Sequence, residues 1–470
     1  MTRGRRDRGT GENKMRSAEC GMWNEKKILK SFFMLVSAII LVCLPVTTMA
    51  AESLGKRIVL KSGMVLLLSE KHEIPMVTVS MAIKAGSVVE PADKPGLASL
   101  TASLLTQGTA KRTANQISRE IDFIGGSLSV SGGDDYASAS LRVLKKDIKT
   151  GFDLLSDVLM HPVFDQKEID RKVKETQAAI QQQKEDPAVI AGEAFSKAVF
   201  GDHPYGKTSD DVAAFLPKLA RQDILDFYTH RYGPNVTIIA VVGDVTEKEV
   251  VSLLEEKFKG WKPVEEGRPN RQAPPAIGAV TVKKLDKNIT QANIAMGHLG
   301  ISRENPDYYA VMVMNYILGG GGFSSRLMDN IRDNRGLAYD VHSSFSAQKD
   351  PGSFRAWMQT KSESANESID EIFKELKRIR TEPVQEKELA DAKAYLTGSF
   401  PLRMDTYAKI AGILTAIEIY NLGLNYPQKY PALINAVTRE DILRVAKKYI
   451  DPDRMVIVVL GNQEKIKLRY

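Results

Sequence analysis

The chain has 470 residues, 43% of them hydrophobic and 26% charged, a balance that suits a globular protein with room for two or more cores and excludes a disordered or fibrous class. Its formal charge of +7 is concentrated at the start: nine Lys and Arg against four Asp and Glu fall in residues 1–50, which leaves 56 against 54, or +2, for residues 51–470. That near-neutral remainder removes the main support for nucleic-acid binding. Both cysteines, Cys20 and Cys43, lie in the first 50 residues, so a chain beginning at Ala51 has neither a disulfide framework nor a thiol nucleophile.

The first segment reads as a secretory signal. Lys26, Lys27 and Lys30 precede an apolar run over residues 32–44, and Thr48, Met49 and Ala50 offer small residues for cleavage before Ala51. The alternative is a retained membrane anchor, since the apolar stretch to Met49 approaches spanning length; Pro45 and the small-residue end favour cleavage. Met15 or Met22 is a more natural start than Met1, because residues 1–14 are long and polar for a leader. Cys43 follows Val42 rather than a small residue, which argues against a lipid anchor.

From there, residues 58–68 and 76–85 alternate or run apolar as strands, and residues 97–105 have helical spacing. Residues 127–143 return to strand alternation around Gly132-Gly133, and residues 149–160 and 166–183 read as helices, with His161-Pro162 as a stop. Hairpins interspersed with helices imply an α+β architecture: a mainly antiparallel sheet covered by helices on one face. Residues 265–278 (EEGRPNRQAPPAIG) are rich in proline and charge without periodicity, as an exposed linker would be.

Two echoes place this linker between repeated halves. Arg221-Gln-Asp-Ile-Leu, leading to Ile238-Ile-Ala-Val-Val-Gly243, returns 218 residues later as Arg439-Glu-Asp-Ile-Leu, leading to Val456-Ile-Val-Val-Leu-Gly461. Each copy reads as a capped helix followed by a buried strand. Pro162-Val163 before Lys167-Glu168-Ile169 is matched in the same order by Pro383-Val384 before Lys387-Glu388-Leu389. The organisation expected is therefore a leader (residues 1–50), a first domain (51–264), the linker, and a second domain (279–470).

The second half carries a run of glycines, Gly319 to Gly322, between helical patterns at residues 308–318 and 324–332. Four glycines free the backbone for positive φ and could turn helix N-terminal amides toward a ligand, or else form a mobile turn between packed helices. The run lacks the Gly-Lys-Ser/Thr ending of a phosphate loop, so nucleotide binding is not expected. Downstream come Arg332 and Tyr339, the latter after Gly336-Leu337-Ala338. Read on their own, these two are a surface-helix ion pair to Asp329 or Asp333 and a tyrosine packed at a strand start.

Gly86-Ser87, Glu90-Pro91, Gly96-Leu97-Ala98 and Gly108-Thr109 together resemble the pattern GS..E....GLAH..EH....GT of the M16 peptidases, the pitrilysin and mitochondrial-processing-peptidase family. The resemblance runs from about Lys56 to Ile466 and implies two homologous α+β domains clamped around a central cavity. It also implies that the family's His-x-x-Glu-His zinc motif falls on Ser99, Ala102 and Ser103, and its third ligand, a glutamate, near Ala179, counted back from Glu185-Asp186-Pro187. A serine hydroxyl is a poor zinc ligand and alanine is none. The six histidines, His72, His161, His203, His230, His298 and His342, are not spaced as a local metal motif. No metal is expected in this chain.

Arg332 and Tyr339, by contrast, match in spacing the arginine and tyrosine that the family's C-terminal domain turns toward the active site. A guanidinium and a phenol can both donate hydrogen bonds to a substrate carbonyl or an oxyanion. The resemblance thus implies a non-catalytic subunit of a heterodimeric zinc peptidase in the bacterial envelope. Its partner would be an M16 subunit carrying His-x-x-Glu-His and the zinc, its substrate a peptide, and it would have no membrane attachment once the signal is cleaved. The competing expectation is an inactive M16 fold kept as a peptide-holding chaperone or assembly scaffold.

Overall fold

The computed structural model describes residues 53–266 and 272–470. The segment read as a signal and part of the proline-rich stretch lie outside the described residues. Among those described, no helix is long and apolar enough to cross a membrane.

Two sheets organise the chain. The first has six strands in the order β1-β2-β6-β3-β5-β4, and the second has five in the order β7-β11-β8-β10-β9. In the first sheet, β1 is Lys56–Val59, β2 Val65–Glu70, β3 Met76–Ile83, β4 Ser127–Ser131, β5 Ala137–Leu144 and β6 Thr237–Gly243. In the second, β7 is Thr281–Asp286, β8 Gln291–Leu299, β9 Ala338–Phe345, β10 Ser353–Lys361 and β11 Val456–Gly461. Without β1 the two orders coincide, with β2 matching β7, β6 matching β11, and so on. Even the strand directions agree: β6 runs parallel to β2 and antiparallel to β3, as β11 does to β7 and β8.

Residue choice follows position in the sheet. The inner strand β6, TIIAVVG, is buried along its whole length, whereas β5, ASASLRVL, alternates buried and exposed because one of its faces meets the core. The echoed helices precede β6 and β11 as Arg221–Arg231 and Arg439–Tyr449. One contact links the two echoes physically. Arg221 Nε donates to the carbonyl of Phe164 at 2.7 Å, and Arg439 Nε donates to that of Val384 at 2.6 Å. Each arginine therefore ties its helix to the Pro-Val segment after an earlier helix, so the two motifs recur together.

The expectation that helices cover one sheet face is corrected by an exchange between the halves. The Pro187–Phe200 helix, from the first half, lays Ala191, Phe195 and Val199 on Ala295, Val456, Val458 and Leu460 of the second sheet. The Tyr407–Ile419 helix, from the second half, lays Ile410, Ala411 and Leu414 on Leu67, Ile238, Ala240 and Val242 of the first. Burying a side chain such as Phe195, Val199 or Leu414 stabilises by roughly 1.5–3 kcal/mol, so each half's helix helps to close the other half's sheet.

Polar contacts finish the seam. The β4–β5 turn meets the β9–β10 loop where Gln348 Nε2 donates to Asp134 Oδ2 at 2.9 Å and the Lys349 amide to Asp135 Oδ2 at 3.2 Å. Tyr205, in the His203-Pro204-Tyr205-Gly206 segment, donates its hydroxyl to Asp135 Oδ1 at 2.7 Å and accepts from the Asp350 amide at 3.4 Å.

Candidate functional site

In the first half, the helix Leu97–Leu104 is held by its N-terminus. Gly96 sits at φ 86, in the left-handed region, and a Cβ there would lie 2.8 Å from a methyl of Val212. The Glu90 carboxylate accepts hydrogen bonds from the amides of Gly96 and Ala98, both at 3.0 Å, which satisfies two donors that a helix end leaves open. Enclosure pushes the Glu90 carboxyl up to about 7, against the pull of those two amides.

The positions on which the resemblance places the zinc motif are chemically bare. Ser99 is exposed and packs by its backbone against Gly132, where a Cβ would lie 2.5 Å from the Ser99 Cα. Ala102 is fully buried in the first core, and the half-buried Ser103 spends its hydroxyl on the carbonyl of Leu100 at 2.8 Å. Ala179 lies exposed on the Gln166–Gln183 helix. Among the described residues, no three of His, Cys, Asp and Glu are grouped so as to hold a metal ion.

The second half differs in shape as well as content. Its helix Tyr308–Asn315 continues into wider, π-type turns over Tyr316–Gly320, a distortion common near functional sites. Three of the four glycines are packed closely in this turn. Gly319 is buried, and a Cβ there would lie 2.5 Å from Ser343 Oγ and 2.6 Å from the Ser343 nitrogen. Cβ atoms at Gly320 and Gly321 would each come within 2.7 Å of the preceding turn, while Gly322, at φ 59, has open space around it. The second helix begins later than expected, at Arg326 instead of Ser324, and takes π-type turns over Met328–Asn334.

That short helix is anchored by its other polar groups. Arg326, buried, makes a two-point contact with Glu388 at 2.7 and 2.8 Å, the strong form of a guanidinium–carboxylate pair. Asn330 donates to Glu371 and Glu375 at 2.8 and 3.0 Å, and Arg335 reaches Glu371 at 3.1 Å.

Arg332 is left free of such work. Its nearest carboxylate oxygen, on Asp333, is 4.0 Å away, and its guanidinium lies 4.5 Å from the centre of the Phe323 ring and 5.1 Å from that of Tyr339. Both rings are exposed, Phe323 to 71% and Tyr339 to 82%. Tyr339 is therefore not packed, and the reason is local. The β9–β10 register steps from Asp340 opposite Gln359 to Ala338 opposite Thr360, so Tyr339 is the extra residue of a bulge, a device that re-aims a side chain. Among the described residues, neither the Arg332 guanidinium nor the Tyr339 hydroxyl has a hydrogen-bond partner. The sequence reading missed Phe323. Its only signal was an aromatic residue in a Gly/Ser run with no apolar periodicity to bury it.

Comparison with known proteins decides the family. The profile of "Insulinase (Peptidase family M16)" matches residues 65–209, and that of "Peptidase M16 inactive domain" matches residues 218–396. The chain belongs to the M16 peptidase family. An "uncharacterized zinc protease" of Rickettsia felis is 26% identical over 400 residues, covering 83% of this chain and 93% of its own. One of Mycobacterium leprae is 29% identical over 367 residues, covering 76% and 80%. A solved "peptidase M16 inactive domain" from Pseudomonas fluorescens superposes with a TM-score of 0.81 at 29% identity, over 87% of this chain and 98% of its own. A protease from Helicobacter pylori, at 20% identity and a TM-score of 0.80 over 87% and 100%, shares the fold.

In this M16 chain the residues present do not fit the family's zinc ion. The motif positions supply two hydroxyls and two methyl groups. One hydroxyl is already committed to its own helix, and one methyl is sealed in the core.

Proposed function

We propose that this chain is the non-catalytic, substrate-binding subunit of a heterodimeric M16 zinc peptidase that acts on peptides in the bacterial envelope. The observation that carries the reading is an asymmetry. The motif positions Ser99, Ala102, Ser103 and Ala179 hold no histidine or carboxylate, while the half-buried Arg332 and the exposed Tyr339 stand adjacent and, among the described residues, without hydrogen-bond partners. A guanidinium and a phenol presented together suit the carbonyl of a bound peptide, and one such donor placed on a developing oxyanion contributes about a hundredfold or more in rate. The zinc that activates water belongs to the partner, an M16 subunit with an intact His-x-x-Glu-His motif. The basic, apolar leader ending at Ala50 supports export to the periplasm with cleavage before Ala51.

Reconstitution tests the reading. The purified chain is assayed alone and mixed with an M16 protein of the same genome that carries the intact motif, using a quenched fluorescent peptide. Hydrolysis by the mixture and none by the lone chain supports the proposal. Hydrolysis by the lone chain, or a partner whose rate is indifferent to its presence, overturns it, and peptide binding without hydrolysis in any pairing favours the chaperone or scaffold.

A further inference from the structure

On the face of the second sheet that meets the exchanged helix, β11 and β8 are covered, Trp357 of β10 packs against the edge of that cover, and β9 lies next to β10 at the outer edge of the sheet. In register across those two strands stand Arg355 with Ser344, Trp357 with His342 and Gln359 with Asp340. The His342 ring lies 5.1 Å from that of Trp357, and His342 Nδ1 is 3.4 Å from Asp340 Oδ2. Arg355 is the exception. It is half-buried, with Nη1 3.5 Å from where a Cβ on Gly192 of the exchanged helix would stand, and among the described residues its guanidinium has neither a carboxylate nor a hydrogen-bond acceptor. The carboxylate next to Gly192 on that helix, Glu193, is engaged with the Ser209 amide and hydroxyl at 3.1 and 2.8 Å. Burial pulls the Arg355 guanidinium below its ordinary range, with no opposing charge to offset the loss of water.

A half-buried cation with no protein partner loses part of its hydration with nothing in the chain to replace it, and an anion from outside can complete it. We infer that Arg355 is a carboxylate-reading subsite for the bound peptide. It accepts an acidic side chain or the C-terminal carboxylate in a two-point contact, while the Trp357 ring lines the approach. The inference rests on the peptide-binding reading above. Register fixes the distance to the Arg332/Tyr339 pair: Arg355 lies opposite Ser344, five residues along β9 from Tyr339, or roughly 16 Å at about 3.3 Å per residue. An extended peptide with one residue at Tyr339 brings a carboxylate about five residues away to Arg355.

The test uses fluorescence anisotropy with the whole chain and labelled, C-terminally amidated peptides in which one glutamate is moved stepwise through an otherwise neutral sequence, with glutamine at the same place as reference. A free-acid series separates the C-terminal carboxylate from a side chain. Glutamate should bind about tenfold tighter than glutamine within one narrow window of positions. Arg355→Met should erase that preference and Arg355→Lys retain part of it, while Arg332→Ala weakens glutamate and glutamine peptides alike. Because Arg355→Met removes an unpaired charge, it should unfold at or above the wild-type temperature, so a lost preference is not a lost fold. Equal binding of glutamate and glutamine peptides, with Arg332→Ala still weakening both, overturns this inference and leaves the peptide-binding reading standing. Absence of binding to every peptide overturns both.

Discussion

The helices Leu97–Leu104 and Tyr308–Asn315 follow matching inner strands, β3 and β8, in the two halves, yet they have been built for different ends. The first is a regular helix held at its N-terminus by Glu90, with nothing on its outer face that can bind a metal. The second is distorted, runs through packed glycines and leads to a guanidinium and a phenol left free of internal duty. What holds a helix in place and what gives it chemistry are thus separable. Gly96 and Glu90 remain necessary where no ligand remains, because helix-end amides must be satisfied whether or not a metal sits nearby.

The sharpest way to break the comparison is to loosen the second region. Arg326→Ala would leave Glu388 without its buried partner and should cost about 3–5 kcal/mol in urea unfolding. A loss under 1 kcal/mol would mean that the helix bearing Arg332 is not anchored there. Gly319→Ala drives a methyl into Ser343 and should cost roughly 1–3 kcal/mol. Ser103→Ala, the contrasting change in the first helix, should stay within about 0.5 kcal/mol, and equal costs for the two would erase the difference between the regions.

The first region is also open to a test in pH. Enclosure raises the Glu90 carboxyl in the folded state from its ordinary 4.5 to about 7, so between those values the folded state binds more protons than the unfolded one, and stability falls as pH rises. Thermal unfolding of wild type should therefore decline from pH 5 to pH 8 more steeply than that of Glu90→Gln. Parallel curves would show that Glu90 ionises without strain.

Much of the fold could be read from residue patterns. The alternation in β5, the continuous apolar runs of β6 and β11, and the paired echoes around Arg221 and Arg439 all fall where regular elements form. The helix exchange could not be read, because an apolar stripe such as Ala191, Phe195 and Val199 says that a helix is buried and not which sheet buries it. Of the candidate site, Arg332 and Tyr339 were suggested by their spacing in a family pattern. The means of presenting them was not: the bulge at Tyr339 depends on β9–β10 register, and the Phe323 contact on a loop that carries no period. Arg355 looked like an ordinary strand residue, since the missing partner is a property of three-dimensional neighbours.

The central claim is that the chemistry of this chain lies in its second half and none remains at the old metal positions. Its most direct test is the turnover rate of the reconstituted pair, measured side by side with Arg332→Ala and with the double variant Ser99→Ala/Ser103→Ala. A division of labour predicts a loss of about a hundredfold or more for Arg332→Ala and an unchanged rate for the double serine variant. A large loss from the serines, with Arg332→Ala as fast as wild type, would contradict it.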